Sequence, residues 1–175
     1  MRFRGFTIIE LLVVLAIIGI VATVGIIYLP DLYRTYKFNE YTYTIENLVR
    51  LAKVRAMELS TNVAICPDRT QKSIRIVNLG TNRIIRCNVT TRCDGNTYPC
   101  VLTELRIEED FINLDGNVIR FDPRGLAYDD AQEGMFGMGV GRVCIDKEGK
   151  RYFKVCVGQF GSIRIEKGDG QCGPC

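Results

Sequence analysis

The chain opens on a long stretch without charge. From Leu11 to Leu29, nineteen residues pass with no charged side chain. At about 1.5 Å of rise per residue, such a run spans roughly 29 Å as a helix, one hydrocarbon core of a bilayer. Arg2 and Arg4 precede it. Positive residues stay on the cytoplasmic side, so the residues after Pro30 are expected across the membrane. Beyond Pro30 the apolar positions recur every three or four residues, at Phe38, Tyr41, Ile45, Leu48, Ala52, Ala56 and Leu59. Lys37, Glu40, Lys53 and Glu58 fall off that stripe, the pattern of an amphipathic helix. The two patterns join into one helix from near Phe6 to about Ser60, with Thr61 and Asn62 opening a loop. Any kink belongs near Pro30, which removes a helical hydrogen bond.

After Asn62 the period changes. "NVAIC", "SIRIVNL", "RIIRCNV", "VLTELRI", "VIRFDPRG", "GRVCID", "YFKVCVG" and "SIRIEKG" are short, rich in Val and Ile, and often alternating. Gly, Asn, Asp and Pro separate many of them, as strands require. "KEGK" at Lys147–Lys150 reads as a hairpin turn. The expected fold class is α+β: a long N-terminal helix, membrane-spanning in its first half and amphipathic in its second, packed on an antiparallel β domain. No repeat of 20–50 residues is visible, and 175 residues suit one domain plus an anchor.

Composition narrows the chemistry. There is no His and no Trp. Ser-His-Asp triads, Cys-His pairs and H-E-x-x-H zinc sites are therefore excluded. The net charge of +3 is uneven along the chain. Val101–Glu133 holds three Arg against nine acids, and Arg142–Lys167 holds seven Lys and Arg against three. Eight cysteines, Cys66, Cys87, Cys93, Cys100, Cys144, Cys156, Cys172 and Cys175, all follow the apolar segment. An even count beyond a membrane segment favours disulfides in an oxidising compartment, with the pairing left open.

Several motifs carry less than they suggest. "CGPC" at Cys172–Cys175 has the spacing of thioredoxin-like redox sites, which need a helix after the first Cys. The sequence stops at Cys175, so the pair is expected to be structural, joined to each other or to partners elsewhere. One C-x-x-C falls short of a four-Cys zinc ribbon. "GMFGMGVGR" lacks the dinucleotide-binding spacing. The acids from Glu104 to Glu133, with the pairs Glu108–Glu109 and Asp129–Asp130, show no spaced calcium loop. No metal and no cofactor are expected.

Glu10 remains to be explained, because it stands where the neighbouring side chains favour hydrocarbon. A carboxylate costs about 2.5–3.5 kcal/mol at a membrane helix centre, less near the interface, and is a functional candidate by default. A secretory signal peptide has a shorter apolar run, about 7–15 residues. A plain signal anchor fits the length and leaves Glu10 unexplained.

"GFTIIELLVVLAIIGIVA", Gly5–Ala22, resembles the prepilin processing motif of type IV pilins and type II secretion pseudopilins. In that family a membrane peptidase cuts after the Gly and methylates the new amino terminus. The resemblance implies cleavage between Gly5 and Phe6, N-methylation of Phe6, and Glu10 as the fifth mature residue. It implies that Glu10 acts in assembly, meeting the terminal amine of a neighbouring subunit within the packed helices. The expected organisation is a leader over 1–5, a hydrophobic helix over 6–29, its amphipathic continuation over 30–60 and a disulfide-containing β domain over 61–175. Many pilins place Pro near mature position 22; here Ile27 holds that place and Pro30 follows.

"RLAKVRAMELSTNVAIC", "VIRFDPRGLAY" and "KVCVGQFGSIRIEKG" resemble the helix end and first strand, a later strand and the closing strand of GspH/FimT-type pseudopilins. The resemblance implies a minor pilin or pseudopilin, a structural subunit at or near the filament tip. It is then no enzyme but the substrate of a prepilin peptidase. Its partners are other pilins and the inner-membrane assembly platform. It is expected as a single-pass inner-membrane protein, later part of a periplasmic pseudopilus or surface pilus. The alternative is a DNA-binding minor pilin for DNA uptake. Its candidate contacts are Arg142, Lys150, Arg151, Lys154, Arg164 and Lys167, expected on adjacent strands. The family's closing Gly-Arg-x-Arg is here Gly161, Ser162, Ile163, Arg164, without the first Arg.

Overall fold

The computed structural model describes residues 7–95, 97–129 and 141–175, and the side chains of all of these except 23–28. The chain divides into two compact units, Met1–Asn39 and Glu40–Cys175. One helix, α1 (Ile8–Glu58), contributes to both and continues through Pro30. The uncharged run passes through 23–28, and among the described residues no helix is long and apolar enough to cross a membrane.

Within the second unit, the last turns of α1 bury Thr42, Ile45, Val49, Ala52 and Ala56. Ile45, Ala52 and Ala56 are expected positions, as is Phe38, buried in the first unit, whereas Thr42 and Val49 are buried in place of Tyr41 and Leu48. Leu48 is half-buried, and Leu59 is exposed beyond the helix end. Tyr41 lies at the margin, where its hydroxyl accepts the Glu108 N–H at 3.3 Å. Ala52 and Ala56 are wholly buried. The helix closes on a Schellman pair. Thr61 N–H donates to Ala56 O (3.1 Å) and Ser60 N–H to Met57 O (3.4 Å), with Ser60 at φ 52°.

Two antiparallel sheets follow. The first has the order β3-β2-β1-β5-β6, from β1 (Asn62–Asp68), β2 (Ser73–Gly80), β3 (Cys100–Arg106), β5 (Ile119–Phe121) and β6 (Ala127–Asp129). The second has the order β4-β7-β8-β9, from β4 (Ile112–Gly116), β7 (Gly141–Lys147), β8 (Arg151–Val157) and β9 (Ile163–Asp169). The fold is α+β, a long helix packed on antiparallel sheets. In the first sheet Val63 pairs with Phe121 and Ile65 with Ile119 and Ile76, placing these buried side chains on one face. Val143, Ile145, Phe153 and Val155 form the buried face of the second sheet. The Lys147–Lys150 turn has Glu148 at φ 50° and Gly149 at φ 69°, the two positive angles of a type I′ hairpin.

One expected strand does not form. Arg83–Val89 is extended coil lying over the other face of the first sheet. Ile85, Cys87 and Val89 pack on Ala64, Cys66, Val77 and Leu79, a second small core. Their alternation reflects burial on one side, and the segment covers the sheet instead of extending its edge. β4 and β6 are not among the expected strands; both are short, and each includes an Asp. Residues 134–140 of the Gly-rich stretch, and 130–133 of the acidic one, lie outside the described residues.

Candidate assembly site

Gly5 and Phe6, the expected processing pair, lie outside the described residues. Glu10 lies within them, in the first turn of α1. Its Oε2 accepts the Thr7 N–H and the Thr7 hydroxyl, both at 2.9 Å. Thr7 Oγ1 in turn accepts the Glu10 N–H at 3.4 Å. This is a reciprocal capping box, with Thr7 at the N-cap and Glu10 three residues on. It satisfies backbone donors that have no partner inside the helix. Glu10 thus has a local task in the isolated chain, and the T-x-x-E spacing was legible in the sequence.

All eight cysteines are paired: Cys66–Cys87, Cys93–Cys100, Cys144–Cys172 and Cys156–Cys175. The first holds the Arg83–Val89 cover to β1, and the second closes the loop before β3. The other two fasten the segment Gly170–Cys175 to β7 and β8. Cys172 and Cys175 are therefore bonded to the sheet and not to each other.

The six candidate DNA contacts do not share one surface. In the second sheet Arg142, Lys154 and Arg164 stand on the face that carries Cys144 and Cys156. Arg151 and Lys167 register on the opposite face, with Phe153. Lys150 is in the hairpin turn, 3.6 Å from Glu148. Arg142 pairs with Asp115 at 2.8 Å, and Asp115 also pairs with Arg69. Lys154 is 4% exposed and bridges Glu166 (2.8 Å) and the Pro174 carbonyl (2.6 Å). Arg164 also reaches Glu166, at 3.0 Å. The Lys154 hydrogen bond, opposed by burial and aided by the Lys154 and Arg164 charges, holds Glu166 below the usual carboxylate range. Lys167 lies 5.7 Å from the Tyr43 ring centre and 5.5 Å from that of Phe153. Among the described residues, no group of three His, Cys, Asp or Glu side chains is arranged to hold a metal ion.

Asp122 is a further organised carboxylate. Its Oδ1 accepts the Arg124 and Leu126 N–H groups, each at 2.9 Å. Its Oδ2 accepts Arg124 Nε and Nη2 at 3.0 Å and the Tyr128 hydroxyl at 3.3 Å. Burial alone would raise its pKa; the hydrogen bonds from Leu126 and Arg124, with the Arg124 charge, lower it on balance. A lowered carboxylate pKa stabilises the fold above the unfolded value, about 3.9, and that contribution disappears as pH falls through the folded value. Asp122→Ala should cost about 0.5–1.5 kcal/mol at neutral pH, because the Arg124 and half-buried Leu126 N–H groups lose their acceptor. It should also flatten the loss of stability below about pH 4. Urea unfolding across pH 2–7 measures both effects, and parallel curves for the variant and wild type would remove Asp122 from the acid transition.

Residues 1–26 match the prokaryotic N-terminal methylation motif. No match was found among curated protein sequences. The fold is similar to that of the type IV minor pilin FimU of Pseudomonas aeruginosa, at 13% identity and TM-score 0.49, over 73% of this chain and 87% of that one. It is also similar to the minor pseudopilin EpsH from the Type 2 Secretion System of Vibrio cholerae, at 10% identity and TM-score 0.49, over 73% of this chain and 94% of that one. The amino-terminal segment carries the prokaryotic N-terminal methylation motif, which runs into α1.

Proposed function

We propose that this chain is a minor pilin or minor pseudopilin, a non-catalytic structural subunit processed between Gly5 and Phe6 and built into a filament at or near its tip. The observation that carries the reading is the methylation motif over residues 1–26, continuous with a 51-residue helix that ends on a disulfide-rich β unit. A subunit of this kind needs few catalytic groups. It needs an apolar helix to hold it in the inner membrane, a polar device to set its register among other helices, and a domain that survives export. Leu11–Leu29, Glu10 and the four disulfides answer to these in turn. Its partners are a prepilin peptidase, the assembly platform and other pilins.

Cleavage is the direct test. Intact mass of membrane-extracted protein should lack "MRFRG" and show one added methyl group, placed on Phe6 by fragmentation. Loss of Arg2 and Arg4 takes the net side-chain charge from +3 to +1. An unprocessed amino terminus in a host with an active cognate peptidase would sink the reading.

DNA uptake is the second reading, resting on the net positive charge of Arg142–Lys167. The sheet divides those cations between two faces, and Arg142, Lys154 and Arg164 each meet a carboxylate. Duplex binding by this chain is therefore expected to be weak and sequence-independent, with affinity falling steeply as salt rises.

A further inference from the structure

The segment Gly170–Cys175 lies on the outer face of the second sheet through two disulfides that stand side by side. Cys144 on β7 is opposite Lys154, and Cys156 on β8 is opposite Arg142. The two sheet cysteines are thus diagonal neighbours on one face, with Cα atoms roughly 7–8 Å apart. Their partners, Cys172 and Cys175, are separated only by Gly173 and Pro174. Apart from the disulfides, the segment is tied by Gly170 N–H to Lys150 O (3.0 Å) and by Lys154 Nζ to Pro174 O (2.6 Å). Of the eight cysteines, Cys175 alone is exposed; the others are buried or half-buried.

We propose that Gly170–Cys175 is a redox-operated clasp, in which one dithiol reducing equivalent releases both disulfide anchors by closing Cys172–Cys175. A thiolate of the dithiol attacks Sγ of Cys175, the exposed residue of the pair. The Cys156–Cys175 bond breaks, and Cys156 leaves as a thiolate and takes a proton. The second thiol of the reductant attacks the mixed disulfide, leaves as the cyclic disulfide, and frees the Cys175 thiolate. That thiolate attacks the neighbouring Cys172 Sγ. The Cys172–Cys175 bond forms, the Cys144–Cys172 bond breaks, and Cys144 leaves and is protonated. One dithiol is oxidised, Cys144 and Cys156 carry its two protons, and one disulfide is conserved within the segment.

The C-x-x-C spacing favours the second step, because the attacking and attacked sulfurs are held in one short loop and their encounter is intramolecular. Exposure favours the first, because exchange depends on access to the sulfur attacked. Release removes the Pro174 carbonyl from Lys154 and uncovers that cation where it lies between Cys144 and its partner Glu166. The opened face then presents a cation that the closed one covers, which gives the clasp a consequence for whatever this face touches.

The test uses the native full-length chain in detergent. It is treated with one molar equivalent of dithiothreitol, quenched with an alkylating reagent and mapped by peptide mass. The expected product carries alkyl groups on Cys144 and Cys156, with Cys172 and Cys175 disulfide-linked within one peptide. In the same sample Lys154, acylated slowly in untreated protein, should react at the rate of the exposed Lys150. Alkylation of Cys156 and Cys175 with Cys144–Cys172 intact would overturn the transfer. First reduction at Cys66–Cys87 or Cys93–Cys100 would overturn the choice of clasp. Unchanged Lys154 reactivity after transfer would overturn the opening of the face.

Discussion

Glu10→Gln should fail to enter filaments as completely as Glu10→Val, whereas Thr7→Ala should enter nearly as well as the wild type. The three substitutions separate two tasks that meet in one carboxylate. In the isolated chain Glu10 closes a capping box with Thr7. In the filament, on the reading proposed above, its charge meets the Phe6 amine of a neighbour. Gln is as suitable as Glu at the third position of a capping box, so Glu10→Gln keeps the cap and removes only the charge. Thr7→Ala does the reverse. Losing an N-cap costs about 0.5–2 kcal/mol, spent on the first turn of a helix that continues to Glu58. Losing one partner of a buried ion pair costs roughly 3–5 kcal/mol, a factor of about a hundred or more in partitioning. All three variants should insert and be cleaved, since none adds a charge to the apolar run. Quantitative blotting of sheared filaments against membrane pools measures the ratio. Wild-type incorporation of Glu10→Gln would reduce Glu10 to a helix cap.

Legibility followed from how local each feature is. The hairpin at Lys147–Lys150 was readable because its two positive φ angles are a property of "EG" itself. The long helix was readable from spacing, though its buried stripe turned toward Thr42 and Val49. A buried Thr reads as polar in any apolar pattern, and Leu48 masked Val49 by standing beside it. Arg83–Val89 shows the limit of alternation. Period two says that one side of an extended segment is buried, and it does not say whether the backbone joins a ladder or crosses a face. The cysteine pairing was beyond the sequence, because Cys144 and Cys156 find their partners only once β7, β8 and the segment after β9 are placed together. The basic residues were misgrouped for the same reason. Lys154 is five residues from Gln159 in sequence and looks like any surface lysine, yet Pro174 and Glu166 enclose it. The capping box at Thr7 is local as well, since T-x-x-E carries its signature in four residues.

Gly161→Ala should be among the most destabilising single-methyl additions in the β unit. Gly161 belongs to the closing-strand motif, and its value there is conformational. Its φ is 68°, in the region where a Cβ costs about 1–2 kcal/mol. A Cβ built on it would collide with the Gly125 carbonyl oxygen and lie 3.1 Å from Lys53 Cε and Nζ. Neither neighbour yields readily. The Gly125 N–H is bound to Asp122 O at 2.9 Å, inside the turn that Asp122 organises. Lys53 Nζ donates to the Gly161 carbonyl itself at 2.9 Å, so moving the turn breaks the tie between α1 and the β8–β9 connection. Overpacking adds about 1–3 kcal/mol to the backbone term, for a total of about 2–5 kcal/mol. Gly158→Ala is the internal control. Its Cβ meets only the Ser162 Oγ, a side-chain tip that can rotate, and its φ is not in the left-handed region. Ser162→Arg places a basic side chain at an exposed position and should change stability by no more than about 0.5 kcal/mol. Urea unfolding of the three variants, followed by tyrosine fluorescence, should therefore rank Gly161→Ala well below Gly158→Ala, with Ser162→Arg beside the wild type. Equal midpoints for Gly161→Ala and Gly158→Ala would mean that the junction of Lys53, Gly125 and Gly161 does not hold the closing strand to the helix.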